Sequence, residues 1–445
     1  MKNNHLYFPK KNKNKGNLVI YGGRIINPAV NLDLEPGLVE IKDGIITRVE
    51  AFYGDCRPVF SGQIIDASGL IIMPGLIDLH VHLREPGNPE KETVACGTRA
   101  AAVGGFTTIC SMPNTVPVPD RVEHLQLIRN LYEKEACIRV VPVASGSLGR
   151  KGKKLVDLEA LRTEGVKVFS DDGDPFADLN LLFGLLEYSA RTGIIVSDHC
   201  ETPFLAKKGA VNQELAKLNP NLSGQGAISE VLQLARGATL CELTGGRYHA
   251  QHLSSADSVD ILRWAQNKNL PLTGEVTVHH LLLNQESIAE QGTLAKCAPP
   301  LRTEEDRKAL VAAVNQGLVS AIVTDHAPHT LKEKSLPLNE APFGIAGLET
   351  AFPLVFSLVE KGEFSLQRMI ELFTSAPANV YGFQHIGDLS PGKSGDVAIC
   401  DPESEFEISA DFYSRGKNSP FAGRKAKGKI KYTICEGNIV YSNPQ

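Results

Sequence analysis

Short apolar runs alternate with longer amphipathic segments through the middle of the chain, from about Pro74 to Phe383. Eight of these runs have the length and residue types of β-strands, namely GLIDLHVHL, TTICSMPN, CIRVVPVAS, GVKVFSDD, GIIVSDHC, RYHAQHLSS, PLTGEVTVHH and SAIVTDHAPH. The segments between them, such as LNLLFGLLEYSARTG and EEDRKALVAAVNQG, repeat apolar residues every three or four positions and end in glycine, which is typical of helices. Eight β/α alternations predict an α/β fold with a (β/α)8 barrel over residues 74–383.

An open, doubly wound sheet is the alternative architecture for a β/α pattern of this kind. A nucleotide-binding sheet of that type carries a GxGxxG turn after its first strand. No such turn follows the first strand here, so the barrel is the favoured prediction.

The two ends of the chain share a different, β-rich pattern. Runs such as NLVIYGGRIINP and LVEIKDGIITRVEA fill residues 17–73, and SGDVAICDP and KIKYTICEGNIVYS lie in residues 384–445. Because chain ends often lie close together, we expect these two segments to form one small composite β-sandwich domain. Residues 1–16, which include the basic cluster KKNKNK, are expected to be a polar tail.

Composition narrows the classes of partner. The 445 residues carry a formal net charge of -5, which gives no general attraction to nucleic acid. No apolar run approaches the roughly 18 to 20 residues that cross a bilayer, so no membrane partner is expected. Nine scattered cysteines without a CxxC pair, and no apolar segment after the basic cluster, lead us to expect a reducing, cytoplasmic location.

Histidine and aspartate gather at the carboxyl ends of the predicted strands, where a (β/α)8 barrel carries its active site. They are His80 and His82 on strand one, Asp171 and Asp172 on strand four, Asp198 and His199 on strand five, His252 on strand six, and Asp325, His326 and His329 on strand eight. Residues i and i+2 of a strand share a face, so His80 and His82 can bind one ion. Imidazole and carboxylate ligands suit zinc and related divalent metals.

Each of these signals has an ordinary structural explanation when it is taken alone. HxH also occurs on exposed amphipathic strands, a single His199 or His252 can be a core or surface histidine, and Asp-Asp-Gly is a common turn. Their joint placement at one end of the strands, with almost none of the twelve histidines in the intervening helices, favours a metal site.

A metal at this position would suit hydrolysis of an unreactive amide, since it can lower the pKa of a water to about 7 and polarise a carbonyl. Asp325, at the end of the last strand, could move the proton from water to the leaving nitrogen. Arg84 offers a planar fork for a carboxylate, and Asn114 could add donors, although a turn role after Met112-Pro113 is equally open. We therefore expect a small anionic substrate.

Seven motifs, DLHVHLREPG, SMPNT, FSDDG, DHCE, QHLSS, TDHAPH and APFGIAGLET, resemble the dihydroorotase family of the metal-dependent amidohydrolase superfamily. The resemblance extends from Asn17 onward. It implies reversible, zinc-dependent hydrolysis of the cyclic amide of (S)-dihydroorotate to N-carbamoyl-L-aspartate, a step of pyrimidine (UMP) biosynthesis, with one or two Zn²⁺ ions per chain. We also expect a homodimer.

The resemblance also implies roles for individual residues. His80, His82 and Asp325 would bind one metal, His199 and His252 a second, and Asp172 would bridge them. The substrate would contact His82, Arg84, Asn114, His329 and the backbone of Phe343 and Gly344, and Asp325 would be the catalytic residue.

Two positions depart from the family pattern or leave it open. The family usually has Asn in an NPPLR motif, whereas this chain has Ala298 in CAPPLR. Lys167, carboxylated on its amine, is the alternative to Asp172 as the bridge.

Two other functions compete with this interpretation. One is a hydantoinase or allantoinase, and the other is an inactive homologue that serves as a structural partner. Asp78 and His280 receive no role.

Overall fold

Eight parallel strands form a closed barrel in the computed structural model, which describes residues 17–53 and 60–443. Barrel strands 1 to 8, in chain order, are Leu76–Val81, Phe106–Ser111, Arg139–Pro142, Val168–Phe169, Ile195–Asp198, Arg247–Ala250, Leu272–Thr277 and Ala321–Val323. Strands adjacent in the chain are adjacent in the barrel. The Ala144–Phe169 bridge joins strands 3 and 4, and the Val81–His326 bridge brings strand 8 back to strand 1. The barrel-type α/β fold is therefore confirmed.

Helices surround the barrel and cover its strands. The longer ones are Val94–Val103, Val122–Glu135, Leu179–Thr192, Ile228–Thr244, Ala256–Asn267, Glu304–Asn315, Ala351–Glu360, Leu366–Phe373 and Ser375–Tyr381. Shorter helices are Leu158–Thr163, Pro203–Ala206, Gln213–Leu218, Val278–Leu282, Ser287–Gln291 and Leu331–Lys334. Among the described residues, no helix is long and apolar enough to cross a membrane.

The helix Leu179–Thr192 illustrates why the amphipathic segments fold as predicted. It begins where the Asp178 side chain accepts a hydrogen bond from the Leu181 backbone amide, and it ends at Gly193, whose φ of 77° suits glycine. One face, which includes Leu182 and Leu185, is buried against the barrel. Leucines three or four positions apart thus supply the apolar stripe that a barrel helix needs.

Strands from both ends of the chain share a six-stranded sheet. In spatial order its strands are Asn438–Ser442, Lys425–Cys435, Val397–Glu407, Ile71–Pro74, Arg24–Asn27 and Leu32–Leu34. A four-stranded sheet contains Ile45–Ala51, Gly37–Lys42, Leu18–Tyr21 and Gln63–Asp66. Ile20, Ile41, Ile72 and Ile399 belong to one apolar cluster that draws on both sheets. The predicted tail, residues 1–16, lies outside the described residues.

Candidate metal centre and active site

The carboxyl ends of the barrel strands bring the predicted metal ligands together. His80 is the second-last residue of strand 1 and His82 follows the strand directly, and both side chains are buried. The alternation predicted for IDLHVHL is present only in part. Val81 and Leu83 join the apolar cluster that includes the surrounding helices, whereas Ile77 and Leu79 join a cluster with Val168, Ile195 and Val323 of strands 4, 5 and 8. The pairing of strands 1 and 2 is irregular between Asp78 and Val81, which interrupts the alternation before His80 and His82.

Asp172 lies at the centre of the cluster, just beyond strand 4. Its Oδ1 is 3.3 Å from Nε2 of His80 and 3.4 Å from Nδ1 of His199. The same atom is 3.7 Å from Nε2 of His252, and Oδ2 is 3.4 Å from Nε2 of His82. Four imidazoles from three strands thus surround one buried carboxylate.

Asp325 completes the cluster from the end of strand 8. Its Oδ1 is 3.0 Å from Nε2 of His82 and 3.5 Å from Nε2 of His80. The backbone of Asp325 has a φ of 45°, in the left-handed region that non-glycine residues rarely adopt. Such backbone strain is common where a side chain must be held at a functional site.

The residues present fit a divalent metal. In two sets of three, His80/Asp172/His252 and His80/His82/Asp325, the ligand atoms all lie within 4.8 Å of one another. Nε2 of His80 and Oδ1 of Asp172 are buried and have no hydrogen-bond partner among the described residues. Buried polar atoms are normally paired, so these two atoms are arranged as ligands rather than as members of a hydrogen-bond network.

Electrostatics keep the central carboxylate ionised. Burial by itself would raise the pKa of Asp172, but the adjacent imidazoles, His80 foremost, outweigh it and hold that pKa well below its usual value. Burial would also raise the pKa of Asp325, but the adjacent His80 and His82 outweigh this effect and lower that pKa. Both carboxylates are therefore available as anionic ligands at neutral pH.

Two side chains orient the histidines of strand 1. Nδ1 of His80 lies 2.7 Å from Oε1 of Glu275, and Nδ1 of His82 lies 3.0 Å from Oδ1 of Asn114. An acceptor at Nδ1 favours the tautomer in which Nε2 is free to bind a metal. Asn114, which was predicted to bind substrate, thus also contacts a candidate ligand.

Asp78, which had no role in the sequence interpretation, ties the first barrel strand to the last. Its carboxylate accepts from the backbone amide of His80 at 3.0 Å and from Oγ1 of Thr324 at 2.6 Å. It also accepts from the backbone amide of Thr324. Asp78 therefore fixes the strand ends that carry His80 and Asp325.

Three acidic or imidazole groups at the strand ends turn away from the cluster. Asp171 accepts from Ser145 and Ser147, and Asp198 accepts from Gln233 and Tyr248. His326 contacts the buried Glu92, with Nε2 and Oε2 3.3 Å apart. Asp171, Asp198 and His326 therefore contact residues outside the cluster, whereas their neighbours Asp172, His199 and Asp325 belong to it.

A cavity of about 360 Å³ opens above the cluster. It is lined by His82, Arg84, Asn114, Asp172, Gly173, Asp174, His199, Glu201, Lys208, Gln225, His252, Ala298, Asp325, Ala327, Phe343 and Gly344. Its volume lies within the range of small-molecule sites, about 300–1,000 Å³. Most predicted substrate-binding residues therefore meet in one space, together with Glu201, Lys208 and Gln225, which sequence reasoning did not find.

Arg84 is held at the wall of this cavity. Its backbone φ is 59°, its Nε donates to the backbone oxygen of Pro328 at 3.3 Å, and one terminal nitrogen lies 3.3 Å from Nε2 of His329. Nε2 of His329 also lies 2.8 Å from the backbone oxygen of Phe343. Burial and the nearby Arg84 lower the pKa of His329 to about 3, so this imidazole is neutral.

Lys167 lies away from the cluster. It precedes strand 4, whereas Asp172 follows it, and its Nζ donates to the backbone oxygen of Gly382 at 3.2 Å. It lines a separate cavity with Arg247 and Tyr381. The structure therefore places Asp172, and not Lys167, between the imidazoles.

His279, His280 and Cys297 form a further buried group with ligand atoms within 4.8 Å. Nδ1 of His280 contacts Oγ1 of Thr277 and Nε2 contacts the backbone oxygen of Pro299, so both nitrogens are engaged. Burial raises the pKa of the Cys297 thiol to about 12. These contacts explain His280 as a support for the loop that carries Ala298 rather than as a ligand.

Comparison with known proteins agrees with the motifs. A family model described as Dihydro-orotase-like matches residues 69–258. The dihydroorotase of Macrococcus caseolyticus is 39% identical over 429 residues, which are 96% of this chain and 99% of that protein. The dihydroorotase of Bacillus cereus is 39% identical over 428 residues, which are 96% and 98% of the two chains. This chain belongs to the dihydroorotase family. The predicted resemblance is confirmed.

Solved structures of hydantoinases share the fold of this dihydroorotase-family chain. L-hydantoinase (dihydropyrimidinase) from Arthrobacter aurescens has a TM-score of 0.87 and 23% identity, with 97% of each chain covered. A D-hydantoinase has a TM-score of 0.84 and 24% identity, with 96% of each chain covered. At these identities the likeness establishes the fold and does not distinguish one substrate from another.

Proposed function

We propose that this protein is an active dihydroorotase, a zinc-dependent cyclic amidohydrolase that interconverts (S)-dihydroorotate and N-carbamoyl-L-aspartate in pyrimidine (UMP) biosynthesis. The observation that carries this proposal is the position of Arg84 and Asn114 in the same cavity as Asp172 and Asp325. A carboxylate-binding group beside a metal-binding cluster suits a ring that carries both a carboxylate and a cleavable amide.

The metal ligands in this proposal are six side chains from five barrel strands. His80, His82 and Asp325 would hold one Zn²⁺, His199 and His252 would hold a second, and Asp172 would lie between the two. A bound Zn²⁺ would polarise the ring carbonyl and lower the pKa of water, as zinc does in other hydrolases. The histidine nitrogens and carboxylate oxygens present are the ligand types that zinc prefers.

Asp325 is the proton carrier of the proposed reaction. Water adds to the ring carbonyl carbon, Asp325 accepts its proton, and the ring carbon–nitrogen bond breaks as Asp325 returns that proton to the nitrogen. The contact between Oδ1 of Asp325 and Nε2 of His82, at 3.0 Å, orients the carboxylate toward the cavity. The products of ring opening are a carboxylate and a ureido group, as in N-carbamoyl-L-aspartate.

The substrate's own carboxylate binds at the part of the cavity that Arg84 and Asn114 line. Arg84 supplies the positive charge and a forked set of donors, and Asn114 supplies its amide. His329, neutral because of its low pKa, and the backbone of Phe343 and Gly344 border the ring. Hydantoin and allantoin carry no carboxylate that would use Arg84, which is why dihydroorotate is the favoured substrate.

Replacement of Asp325 by Ala tests this function directly. We expect dihydroorotate turnover to fall by at least about a thousandfold, since proton transfer alone is worth roughly 10² to 10⁴ in rate. Most of the metal should remain, because five other ligands are intact. Asp260→Asn, an exposed substitution that breaks an ion pair with Arg263, is the control. Turnover at the wild-type rate in the Asp325→Ala protein would contradict the assignment.

We also propose the domain organisation that the sequence predicts. Residues 17–73 and 384–445 form a β-sandwich unit, and residues 74–383 form the catalytic barrel. The shared six-stranded sheet and its common apolar cluster support this division. A homodimer and a cytoplasmic location belong to the same proposal, with a small anionic molecule as substrate.

A further inference from the structure

A connection between two terminal strands reaches the mouth of the barrel. It joins Val397–Glu407 to Lys425–Cys435, and its central part, residues 414–418, is here named the strap. The Ser414 hydroxyl donates to the buried Glu92 carboxylate, and the Arg415 backbone amide donates to the same carboxylate at 3.2 Å. The strap therefore contacts the loop that follows barrel strand 1, eight residues beyond Arg84.

Asn418, at the end of the strap, forms four hydrogen bonds, and its side chain is fully buried. Its Oδ1 accepts from the backbone amide of His329 at 2.9 Å. Its Nδ2 donates to the backbone oxygens of Ala327 at 3.1 Å and Gly344 at 2.9 Å. Its own backbone oxygen accepts from the amide of Ala346 at 2.9 Å.

These four hydrogen bonds join the two segments that border the substrate cavity. Ala327 and Gly344 line the cavity, and His329 contacts Arg84. The two segments also contact each other directly, through the Ala327 amide and the Ile345 oxygen at 2.9 Å and through Nε2 of His329 and the Phe343 oxygen at 2.8 Å. The Asn418 amide adds a link from a third part of the chain, because its donor group and its acceptor bond to both segments. Loss of such bonds leaves several buried backbone groups without partners, and the segments would have to move to satisfy them.

We propose that Asn418 is a positioning residue for substrate binding, which fixes the distance between the His329 segment and the Phe343–Gly344 segment. This role rests on the proposed dihydroorotase function. Asn418 contacts none of the six proposed metal ligands, so it acts on the binding of the ring and its carboxylate rather than on the metals.

The test compares Asn418→Ala with Asn27→Ala in the full-length, metal-loaded protein. Asn27 is also buried and donates to Asp388 at 2.9 Å, but it lies in the terminal sheet. Because a small misplacement of binding groups can cost about 10²-fold, we expect Asn418→Ala to raise KM for dihydroorotate roughly 10- to 100-fold. Metal content and kcat should change little, and Asn27→Ala should lower thermal stability without changing KM.

A second variant keeps the test decisive if Asn418→Ala does not fold. Asn418→Asp retains the acceptor for the His329 amide but sets a carboxylate oxygen against the backbone oxygens of Ala327 and Gly344, so KM should rise in this variant too. A KM within twofold of the wild-type value in either folded variant would overturn the role of Asn418. A wild-type protein without dihydroorotate turnover would instead overturn the proposed function.

Discussion

Nδ1 of His80 lies 2.7 Å from Oε1 of Glu275, a fully buried carboxylate on barrel strand 7. The second oxygen of Glu275 contacts Nε2 of His249 at 3.0 Å. Burial would raise the pKa of Glu275, but the adjacent His80 and His249 together outweigh it and lower that pKa to about 2. A carboxylate that is ionised at neutral pH therefore orients the first proposed metal ligand through its Nδ1 atom.

Glu275→Gln should weaken metal binding without removing a ligand. Loss of such a supporting carboxylate typically costs about 10- to 100-fold in metal affinity, because the histidine is no longer held in one tautomer. Competition with a chromophoric chelator measures the affinity. Asp396→Asn is the matched control, since Asp396 is equally buried but pairs with Arg139 at the opposite end of the barrel. Equal metal affinity in the Glu275→Gln and wild-type proteins would argue against this role.

Arg84→Met should raise KM for dihydroorotate much more than it lowers kcat. A hydrogen bond to a charged group contributes about 1.5 to 3 kcal/mol, which corresponds to roughly 10- to 100-fold in KM. Steady-state kinetics on dihydroorotate give the value. Arg129→Met, which removes another buried guanidinium outside the cavity, should leave KM unchanged. If Arg84→Met also leaves KM unchanged, the substrate carboxylate binds elsewhere.

Ala298→Asn should strengthen substrate binding. Ala298 lines the cavity where the family pattern has Asn, so an amide there can form one additional hydrogen bond, worth about 0.5 to 1.5 kcal/mol. We expect KM to fall by roughly two- to tenfold in steady-state assays. A higher KM would mean that the polar lining of this chain, such as Gln225 and Lys208, already occupies the space that the Asn needs.

Glu349 should make stability depend on pH. Burial raises its pKa from 4.5 to about 7, so the folded protein binds a proton more tightly than the unfolded chain. The contribution of Glu349 is fully present below about pH 4.5 and is lost as pH rises through 7. Between pH 5 and 8 the wild type should lose about 1 to 3 kcal/mol of unfolding free energy relative to Glu349→Gln. Urea unfolding at several pH values measures this difference, and parallel curves for the two proteins would contradict it.

The barrel and the meeting of the candidate metal ligands could be predicted because each leaves a local sequence signal. Apolar runs such as the one before His80 mark strands, and the strand ends of a parallel barrel must meet. His80, His82, Asp172, His199, His252 and Asp325 all lie at such ends, and the structure brings all six together.

The supporting residues could not be predicted in the same way, because their roles depend on contacts between distant parts of the chain. Glu275 is one acidic residue within a strand, and only the closed barrel sets it beside His80, 195 positions away. Asp78 lies two positions before His80 in strand 1, yet its partner Thr324 lies 246 positions away. Asn418 reaches His329 only because a terminal connection crosses the barrel mouth.

The most direct test of the proposed function compares three substrates on protein of measured metal content. We expect the metal-loaded protein to hydrolyse dihydroorotate with a kcat/KM at least about a hundredfold above those for hydantoin and allantoin, since these lack the carboxylate that Arg84 binds. Removal of metal by chelation should abolish this activity, and added Zn²⁺ should restore it. Faster hydrolysis of hydantoin or allantoin, or dihydroorotate turnover that survives complete removal of metal, would contradict the proposed function.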